Sequence, residues 1–244
     1  MGWRLLVVAA CTLALGSAEY VSAKSAAPPP PAAAASSICR PDFQVGDAQY
    51  RAGTAFLVDT GNDSALLITA HHLFGPDGGL DAQILWNEMP ARARMIGCAA
   101  YESGETWQAG TPLAISGAHP GFDEKAMLDV AAFPLSGTTT QPRLRLAART
   151  PAVGDSVWLV AEIIAEPKAQ GLLHHAVVSE VTDHFIIMTY DGPIGITATS
   201  GGPIVNAQGE VVGVNFGGGV VKSGKMLGIA TAAKAVRAAL AATK

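Results

Sequence analysis

The sequence predicts a mostly β fold of the barrel or sandwich type. Three observations support this: 27 glycines and 15 prolines in 244 residues, short apolar runs separated by turn residues, and only one convincing helical stretch. Such spacing favours a β-barrel or sandwich over alternating strands and helices. With 49% hydrophobic residues, the chain can bury one large core or two small cores that share a seam.

The first strand candidates form a clear pair. Residues 54–58 and 65–69 are apolar runs joined by Gly61-Asn62-Asp63, a pattern typical of a turn between two strands. The later strand candidates, in chain order, are RARMIGCAAY, MLDVAAFPL, DSVWLVAEI, HHAVVSEV, HFIIMTY, GPIVNA, EVVGVNF and MLGIA. Residues 146–156 suit a connection between two halves of similar size. The helix candidate is TAAKAVRAALAAT, residues 231–243, which has high helix propensity.

Residues 1–23 are typical of a secretory signal peptide. Arg4 precedes the apolar run LLVVAACTLAL, and the small residues of GSA and VSA follow it. The run is too short for a membrane span, which needs about 20 apolar residues. Cleavage after Ala18 or Ala23 fits this pattern; the alternative is a lipoprotein signal with a lipid anchor at Cys11. Both predict an extracytoplasmic protein, either periplasmic or secreted.

The segment after the signal, residues 24–37, is expected to be a tether. Its sequence, KSAAPPPPAAAASS, is too simple to bury a core, and its prolines favour an extended spacer. Cys39 and Cys98 remain after export. They either form a disulfide, which would close a loop of about 60 residues and contribute roughly 4 kcal/mol, or stay as two separate buried thiols.

Composition argues against several kinds of site. The net charge of −4, with no basic cluster, gives no sign of nucleic-acid binding. Adjacent His174 and His175 on a strand would face opposite ways, and no cysteine or carboxylate completes a metal-ligand set. The stretch GVVKSGKM approaches a phosphate-binding loop but has Met226 where Ser or Thr would bind magnesium. We therefore expect no metal and no cofactor.

Three stretches carry residues that could act together in catalysis. LITAHHLF supplies a histidine, LDVAAFPL an aspartate and TSGGPIVNAQGEVVGV a serine, in that order. A serine hydroxyl becomes a good nucleophile when an imidazole takes its proton, and a carboxylate must orient that imidazole. All six histidines precede Ser200, whereas an α/β-hydrolase places its histidine after the serine. That fold is therefore excluded if Ser200 is the nucleophile.

Together the three stretches resemble the chymotrypsin/trypsin-like serine protease family, and most closely its bacterial Deg-type branch. The T-x-x-H motif matches Thr69 to His72, D-[IVL]-A matches Asp129 to Ala131, and G-x-S-G-G-P matches Ala198 to Pro203. The resemblance covers about residues 53–229. The sequence resembles only the protease domain of that branch, so no PDZ domain is expected.

The resemblance implies two six-stranded Greek-key β-barrels with a C-terminal helix. Within a protease domain at 38–244, the first barrel would span about 40–145, the second about 150–230 and the helix about 231–243. The catalytic residues would lie in the cleft between the barrels. The expected substrates are proteins or peptides; the oligomeric state is not predicted.

The resemblance also implies catalytic roles. His72 would be the general base, Asp129 its orienting carboxylate and Ser200 the nucleophile that forms an acyl-enzyme. The backbone N–H groups of Ala198 and Ser200 would form the oxyanion hole. Ala198 stands where the family usually has glycine, which tolerates backbone conformations that a Cβ atom penalises.

Thr199 and the pocket residues define further expectations. Digestive-type relatives often carry an aspartate before the serine that pairs with a newly cut N-terminus; Thr199 has no carboxylate, so no activating cleavage is expected. By resemblance, Ile194 would form the pocket floor, with Asn215, Phe216 and Gly217 beside the substrate strand. A pocket without Asp or Glu predicts small or medium apolar side chains before the scissile bond.

Alternatives remain for the catalytic residues and for the function. His71 could be the base instead of His72, and Asp123 could replace Asp129, although Asp123 lies among turn residues. The protein could instead be a catalytically impaired binding or scaffold protein of the same fold, for which Ala198 is the relevant feature. It could also be an esterase that uses the same triad.

Overall fold

The computed structural model describes residues 31–61 and 64–243. The predicted signal peptide, the first part of the predicted tether and two residues of the predicted Gly61-Asn62-Asp63 turn lie outside the described residues. Within the part described, no helix combines the length and the hydropathy that crossing a membrane requires.

The predicted tether is wrong at its C-terminal end. Ala32–Ser37 forms a 3₁₀-helix, in which Ala34 and Ala35 are only 1% and 4% exposed. These methyl groups pack in a cluster with Val58 and Val236, and the Ser37 hydroxyl donates a hydrogen bond to the carbonyl of Pro142 at 2.9 Å. Composition does not reveal such partners, because alanine fills a small gap in a core as readily as it lines a spacer.

The first half of the domain is a seven-stranded antiparallel sheet. Its strands are β1 (Ile38–Val45), β2 (Ala48–Arg51), β3 (Ala55–Asp59), β4 (Ala65–Thr69), β5 (Ala93–Ala100), β6 (Thr106–Trp107) and β7 (Ala131–Pro134). The main order is β6-β5-β1-β3-β4-β7, with β2 paired to β1. An isolated bridge between Gln108 and Ser136 joins the chain beyond β6 to the chain beyond β7, so the sheet curls round on itself.

The second half is a closed six-stranded barrel. Its strands are β8 (Ser156–Val160), β9 (Leu173–Val181), β10 (Phe185–Tyr190), β11 (Pro203–Val205), β12 (Val211–Val220) and β13 (Met226–Ala232), in the order β10-β13-β12-β11-β8-β9. The α-helices are α1 (Met89–Arg92) and α2 (Ala233–Ala242), and further 3₁₀-helices lie at His71–Phe74 and Pro76–Gly78. The predicted all-β fold with a C-terminal helix is confirmed.

Three buried clusters hold this arrangement together. The first fills the interior of the first sheet and includes Phe43, Phe74 and Phe133, whose rings lie 4.7–6.0 Å apart. Another fills the second barrel. The remaining cluster lies at the seam between the two halves, where Ile68 of the first sheet and Val214 of the second barrel pack in the same hydrophobic cluster. Because burial of this surface is favourable, the seam fixes the two halves against each other.

A disulfide joins β1 to β5. Cys39 and Cys98 are bonded, with their Cα atoms 5.4 Å apart and a sequence separation of 59. Both cysteines are fully buried. Of the two alternatives open at the sequence level, the disulfide is confirmed.

Candidate active site

His72 lies just beyond the end of β4, in a short 3₁₀-helix. The strand stops at Thr69, Ala70 keeps an extended conformation, and His71–Phe74 forms the helical turn. Both histidines therefore lie beyond the strand, in the helical turn. A 3₁₀-helix has three residues per turn, so adjacent side chains diverge by about 120°. The two histidines accordingly have different surroundings.

Asp129 holds His72 at two points. Its carboxylate lies 2.5 Å from Nδ1 of His72 through one oxygen and accepts the backbone N–H of His72 through the other at 2.8 Å. Asp129 is 1% exposed and His72 4% exposed. The N–H of Asp129 donates to the hydroxyl of Thr231 at 3.3 Å. A carboxylate on Nδ1 favours the tautomer in which Nε2 is free to accept a proton.

Ser200 opens the tight turn before β11. Its hydroxyl donates to the carbonyl of Phe216 at 3.2 Å. The next residue, Gly201, has φ of +82°, and a Cβ atom there would collide with the hydroxyl of Thr69 and the carbonyl of Thr54. The serine turn therefore rests directly on the strands of the first sheet that lead to His72.

Phe216 contacts both the histidine and the serine. It is the extra residue of a β-bulge in β12, since Asn215 pairs with Ala230 and Gly217 with Ile229. Its ring lies edge-to-face on the His72 imidazole, with centroids 5.3 Å apart, while its carbonyl accepts the Ser200 hydroxyl. Bulges commonly re-aim groups next to active sites. His72 and Ser200 thus both contact Phe216, and Asp129 contacts His72.

Ala198 occupies the left-handed backbone region. Its φ is 69°, the one positive φ recorded for a non-glycine residue within 31–61 and 64–243. The N–H of Thr199 donates to the carbonyl of Ile196 at 3.2 Å, which places Ala198 at the third position of a turn. A positive φ there is the signature of a type II turn; a type I turn differs mainly by a flip of the central peptide. That peptide carries the N–H of Ala198.

Asn215 supports the same turn from inside the second barrel. Its side chain is buried, and Nδ2 donates to the carbonyl and the hydroxyl of Thr199 at 3.1 and 3.0 Å. The expectation from sequence placed Asn215 beside the substrate strand. Its side chain is instead committed to the residue before Ser200, so any contact with a substrate would involve its backbone. Sequence reasoning missed this role because Thr199 and Asn215 meet only in the fold.

The other predicted pocket residues lie at the edge of the second barrel. Ile194 is half-buried and packs against the core of that barrel, and Gly217 follows the bulge on β12. Tyr190, at the end of β10, has its ring and hydroxyl against Gly228 of β13. Burial raises the pKa of Tyr190, and within the described residues its hydroxyl has no hydrogen-bond partner.

The rival residues lie in other surroundings. His71 is 1% exposed, and its Nε2 bonds to the carbonyl of Ile84 at 2.9 Å. Burial lowers the pKa of His71, which favours the neutral ring. Asp123 lies in an exposed loop, where its carboxylate accepts the N–H of Lys125 at 2.8 Å. These positions leave His72 and Asp129 as the pair that contacts each other.

His174 and His175 have separate partners. His174 is buried and bonds to the carbonyl of Ala161 at 2.8 Å. His175 bonds through Nδ1 to Asp191 at 2.6 Å and through Nε2 to the hydroxyl of Ser156 at 3.0 Å. Ser156 on β8, His175 on β9 and Asp191 just after β10 thus form a serine–histidine–aspartate contact.

Comparison with known proteins gives one family and several solved structures. A family model described as a trypsin-like peptidase domain matches residues 53–214. None of the curated proteins searched matches the chain. The chain is similar to the Rv3671c protease from M. tuberculosis in its active form, with 18% identity over 89% of this chain and 88% of that chain, and a TM-score of 0.56.

Two further structures give similar values. The serine endoprotease from Yersinia pestis has 18% identity over 87% of this chain and 64% of that chain, with a TM-score of 0.56. The thermostable serine protease AL20 from an extremophilic microorganism has 21% identity over 86% of this chain and 98% of that chain, with a TM-score of 0.58. At these identities the likeness establishes a shared fold.

Proposed function

The chain belongs to the trypsin-like peptidase domain family and is a serine endopeptidase, and on this premise we propose that His72, Asp129 and Ser200 are its catalytic triad. The observation that carries the proposal is the buried His72–Asp129 pair, with the carboxylate on Nδ1 and Phe216 linking the imidazole to Ser200. Roles and geometry, rather than single motifs, define such a site.

The proposed reaction proceeds through an acyl-enzyme. Rotation about χ1 turns the Ser200 hydroxyl from the carbonyl of Phe216 towards Nε2 of His72, which accepts the proton as the oxygen attacks the substrate carbonyl. Asp129 stabilises the resulting imidazolium. His72 then protonates the leaving amine, which breaks the peptide bond. In the second half, His72 takes a proton from water as the water oxygen attacks the acyl group. His72 then returns the proton to the Ser200 oxygen as the ester bond breaks.

The backbone N–H groups of Ala198 and Ser200 form the proposed oxyanion hole. Negative charge develops on the substrate carbonyl oxygen in the transition state, and donors fixed in advance stabilise it without reorganisation. The left-handed conformation of Ala198 supports this assignment, because a flip of the Thr197–Ala198 peptide would redirect one of the two donors.

The proposed specificity is for small or medium apolar side chains before the scissile bond. Ile194 offers an apolar floor and Gly217 leaves room for the substrate strand. None of the four residues assigned to the pocket carries a carboxylate that could pair with Lys or Arg. A peptide library that varies this position tests the assignment. Strong preference for Arg or Lys would contradict it.

Export is part of the proposed function. The Cys39–Cys98 disulfide supports it, because disulfides persist mainly in oxidising compartments outside the cytoplasm. The proposed mature protein begins after Ala18 or Ala23, and N-terminal sequencing of protein recovered outside the cytoplasm tests this. A lipid on Cys11 would favour the lipoprotein alternative.

A fluorophosphonate probe tests the triad directly, because it forms a stable bond only with an activated serine. Labelling is expected for the wild type, and Ser200→Ala and His72→Ala should abolish it. Ser156→Ala is the matched control, since Ser156 also contacts a histidine that contacts an aspartate. Labelling that persists in Ser200→Ala, or its absence from folded wild type, would contradict the proposal.

A pair of substrates separates the protease from the esterase alternative. Casein digestion and hydrolysis of a short-chain ester should both disappear in Ser200→Ala. An enzyme that hydrolyses the ester and leaves casein intact would favour the esterase.

A further inference from the structure

Thr54 of the first sheet holds the backbone on both sides of Thr199. Thr54 is fully buried just before β3, and its N–H donates to the carbonyl of Ser200 at 2.8 Å. Its hydroxyl donates to the carbonyl of Ala198 at 3.0 Å. One residue therefore binds both of the residues whose N–H groups form the proposed oxyanion hole.

Three consecutive carbonyls of the serine turn are thereby occupied. Those of Ala198 and Ser200 bind Thr54, and that of Thr199 accepts the side chain of Asn215 at 3.1 Å. A peptide unit is planar, so holding its carbonyl also fixes the direction of its N–H. The carbonyl of Thr199 and the N–H of Ser200 share one such unit. The N–H of Ser200 is thus aimed by neighbours rather than by the serine itself.

Thr54 is also bonded to the strand that leads to His72. Its carbonyl accepts the hydroxyl of Thr69, the last residue of β4, at 2.8 Å. His72 follows only three residues later. A continuous line of hydrogen bonds therefore runs from Thr69 through Thr54 to Ala198 and Ser200, across the seam between the two halves.

This inference rests on the proposed function. We infer that Thr54 is a positioning residue, which keeps the turn that carries the proposed oxyanion hole in its active conformation. The left-handed region costs an L-residue roughly 1–2 kcal/mol, so Ala198 needs support that glycine would not need. Without the Thr54 hydroxyl, the carbonyl of Ala198 loses its nearer donor, and the turn is freer to relieve this cost by bringing Ala198 to negative φ. The turn then shifts from type II towards type I, and the N–H of Ala198 leaves the oxyanion hole.

Arg40 is a secondary donor to the same carbonyl. Its Nη1 lies 3.5 Å from the carbonyl oxygen of Ala198, which is longer than the Thr54 contact. The Thr54 hydroxyl, at 3.0 Å, is therefore the contact to remove in a test.

The test replaces Thr54 by Val and by Ser in the full chain. Val keeps the branched shape without the hydroxyl, while Ser keeps the hydroxyl. We expect Thr54→Val to lower kcat about tenfold with little change in KM, a smaller loss than the roughly 10²–10³ caused by removing a donor outright. Thr54→Ser should remain within about threefold of the wild type. Active-site titration restricts each rate to folded molecules.

Inhibitor binding gives a readout that a purely structural role would not move. A peptide boronic acid forms a tetrahedral adduct that places an oxygen in the oxyanion hole. Its affinity should fall in parallel with kcat in Thr54→Val. Ser37→Ala is the matched control, because Ser37 is also fully buried and donates to a backbone carbonyl. It should change the melting temperature but neither kcat nor boronate affinity.

A double variant tests whether Thr54→Val lowers kcat through the backbone conformation of Ala198. In Thr54→Val, the further change Ala198→Gly should restore most of kcat, because glycine adopts positive φ without the cost. If Thr54→Val does not fold, Thr54→Ala, which opens space instead of burying an added methyl group, takes its place in the same measurements.

The outcomes separate this inference from the proposed triad. If fluorophosphonate labelling requires Ser200 but Thr54→Val retains wild-type kcat and boronate affinity, the role of Thr54 is wrong and the triad stands. If labelling persists in Ser200→Ala, the triad itself is wrong. A fall in stability alone, with unchanged kcat per titrated site, also overturns the inference.

Discussion

At the residue scale, Ala198 adopts a backbone conformation that glycine favours, with φ of 69°. The sequence identifies the position, because Ala198 precedes Ser200 by two residues and stands where the resemblance expects glycine. The sequence does not identify what supports it. Thr54 and Asn215 lie 144 and 17 residues away along the chain, and neither belongs to a motif.

We predict that Ala198→Gly raises kcat/KM about two- to tenfold. The reason is that glycine removes the left-handed cost and increases the population of the type II turn. Hydrolysis of a peptide substrate, normalised by active-site titration, measures the effect. Ala148→Gly, at an exposed position, is the control and should give no gain. An unchanged or lower kcat/KM in Ala198→Gly would contradict this account.

His174 gives a second prediction at this scale, which concerns pH. Burial lowers the pKa of His174 below its ordinary value near 6.5. When the pH lies below that value, His174 takes up a proton more readily in the unfolded chain than in the folded protein. The free energy of unfolding is therefore retained in full above about pH 6.5 and falls as the pH drops, with a limiting slope of about 1.4 kcal/mol per pH unit for one group.

Urea denaturation between about pH 5 and 7.5 measures this slope. We expect His174→Gln, which keeps an amide donor for the carbonyl of Ala161, to depend less steeply on pH than the wild type. His184→Gln, at a half-buried position, is the comparison and should resemble the wild type. Parallel slopes for all three proteins would show that His174 does not carry the effect.

At the element scale, apolar runs bounded by turns locate most strands. Residues 54–58 and 65–69 predict β3 and β4 nearly residue for residue, because both strands are largely buried. The strands β1, β2 and β6 escape prediction. In β1, the polar residues Arg40 and Asp42 and the intervening Pro41 interrupt the apolar pattern. β2 has the polar sequence AQYR and β6 only two residues, so each exists by pairing with a neighbouring strand rather than by its own pattern.

The 3₁₀-helix around His72 escapes prediction for another reason. The run LITAHHLF contains no glycine, proline, asparagine or aspartate, so nothing in its composition marks a helical turn at His71–Phe74. The change from strand to helical turn depends on contacts outside the run. Among them are the hydrogen bond from the Thr69 hydroxyl to the carbonyl of Thr54 and the one from the His72 N–H to the carboxylate of Asp129. Motifs therefore predicted the residue types of the site and their order, while their local geometry required the fold.

The 3₁₀-helix Ala32–Ser37 allows a matched test of its packing. Ala34→Asp should lower the melting temperature markedly, because a buried carboxylate without a partner is costly. Ala33→Asp, on the exposed side of the same turn, should have little effect. Thermal unfolding of the two variants measures the difference. Equal melting temperatures would indicate that this segment does not contribute to the core.

At the scale of the whole molecule, the proposed site is divided between two halves. The first sheet supplies His72 and Asp129, and the second barrel supplies Ser200. The order of the motifs predicts this division through the family resemblance. It does not predict the hydrogen bonds across the seam, because Thr54 meets Ser200 only when both halves have folded and docked.

We predict that activity does not depend on cleavage near the N-terminus. Thr199 has no carboxylate to pair with a new amino group, and Asn215 already binds its hydroxyl and carbonyl. A site for a specific protease inserted within residues 24–30 allows the same sample to be assayed before and after cutting. The two rates should agree within about twofold, whereas a rise of about tenfold would reveal an activation step.

The covalent link between β1 and β5 makes the two halves unequal in one further respect. The disulfide stabilises the first half, which contains His72. The second half, which contains Ser200, is held by the hydrogen bonds of its closed barrel. In a thiol-rich medium, amide exchange should therefore quicken along β1 and β5 while the second barrel stays protected. Such a protein would lose the proposed base before the proposed nucleophile, and inactivation would begin while most of the chain was still folded.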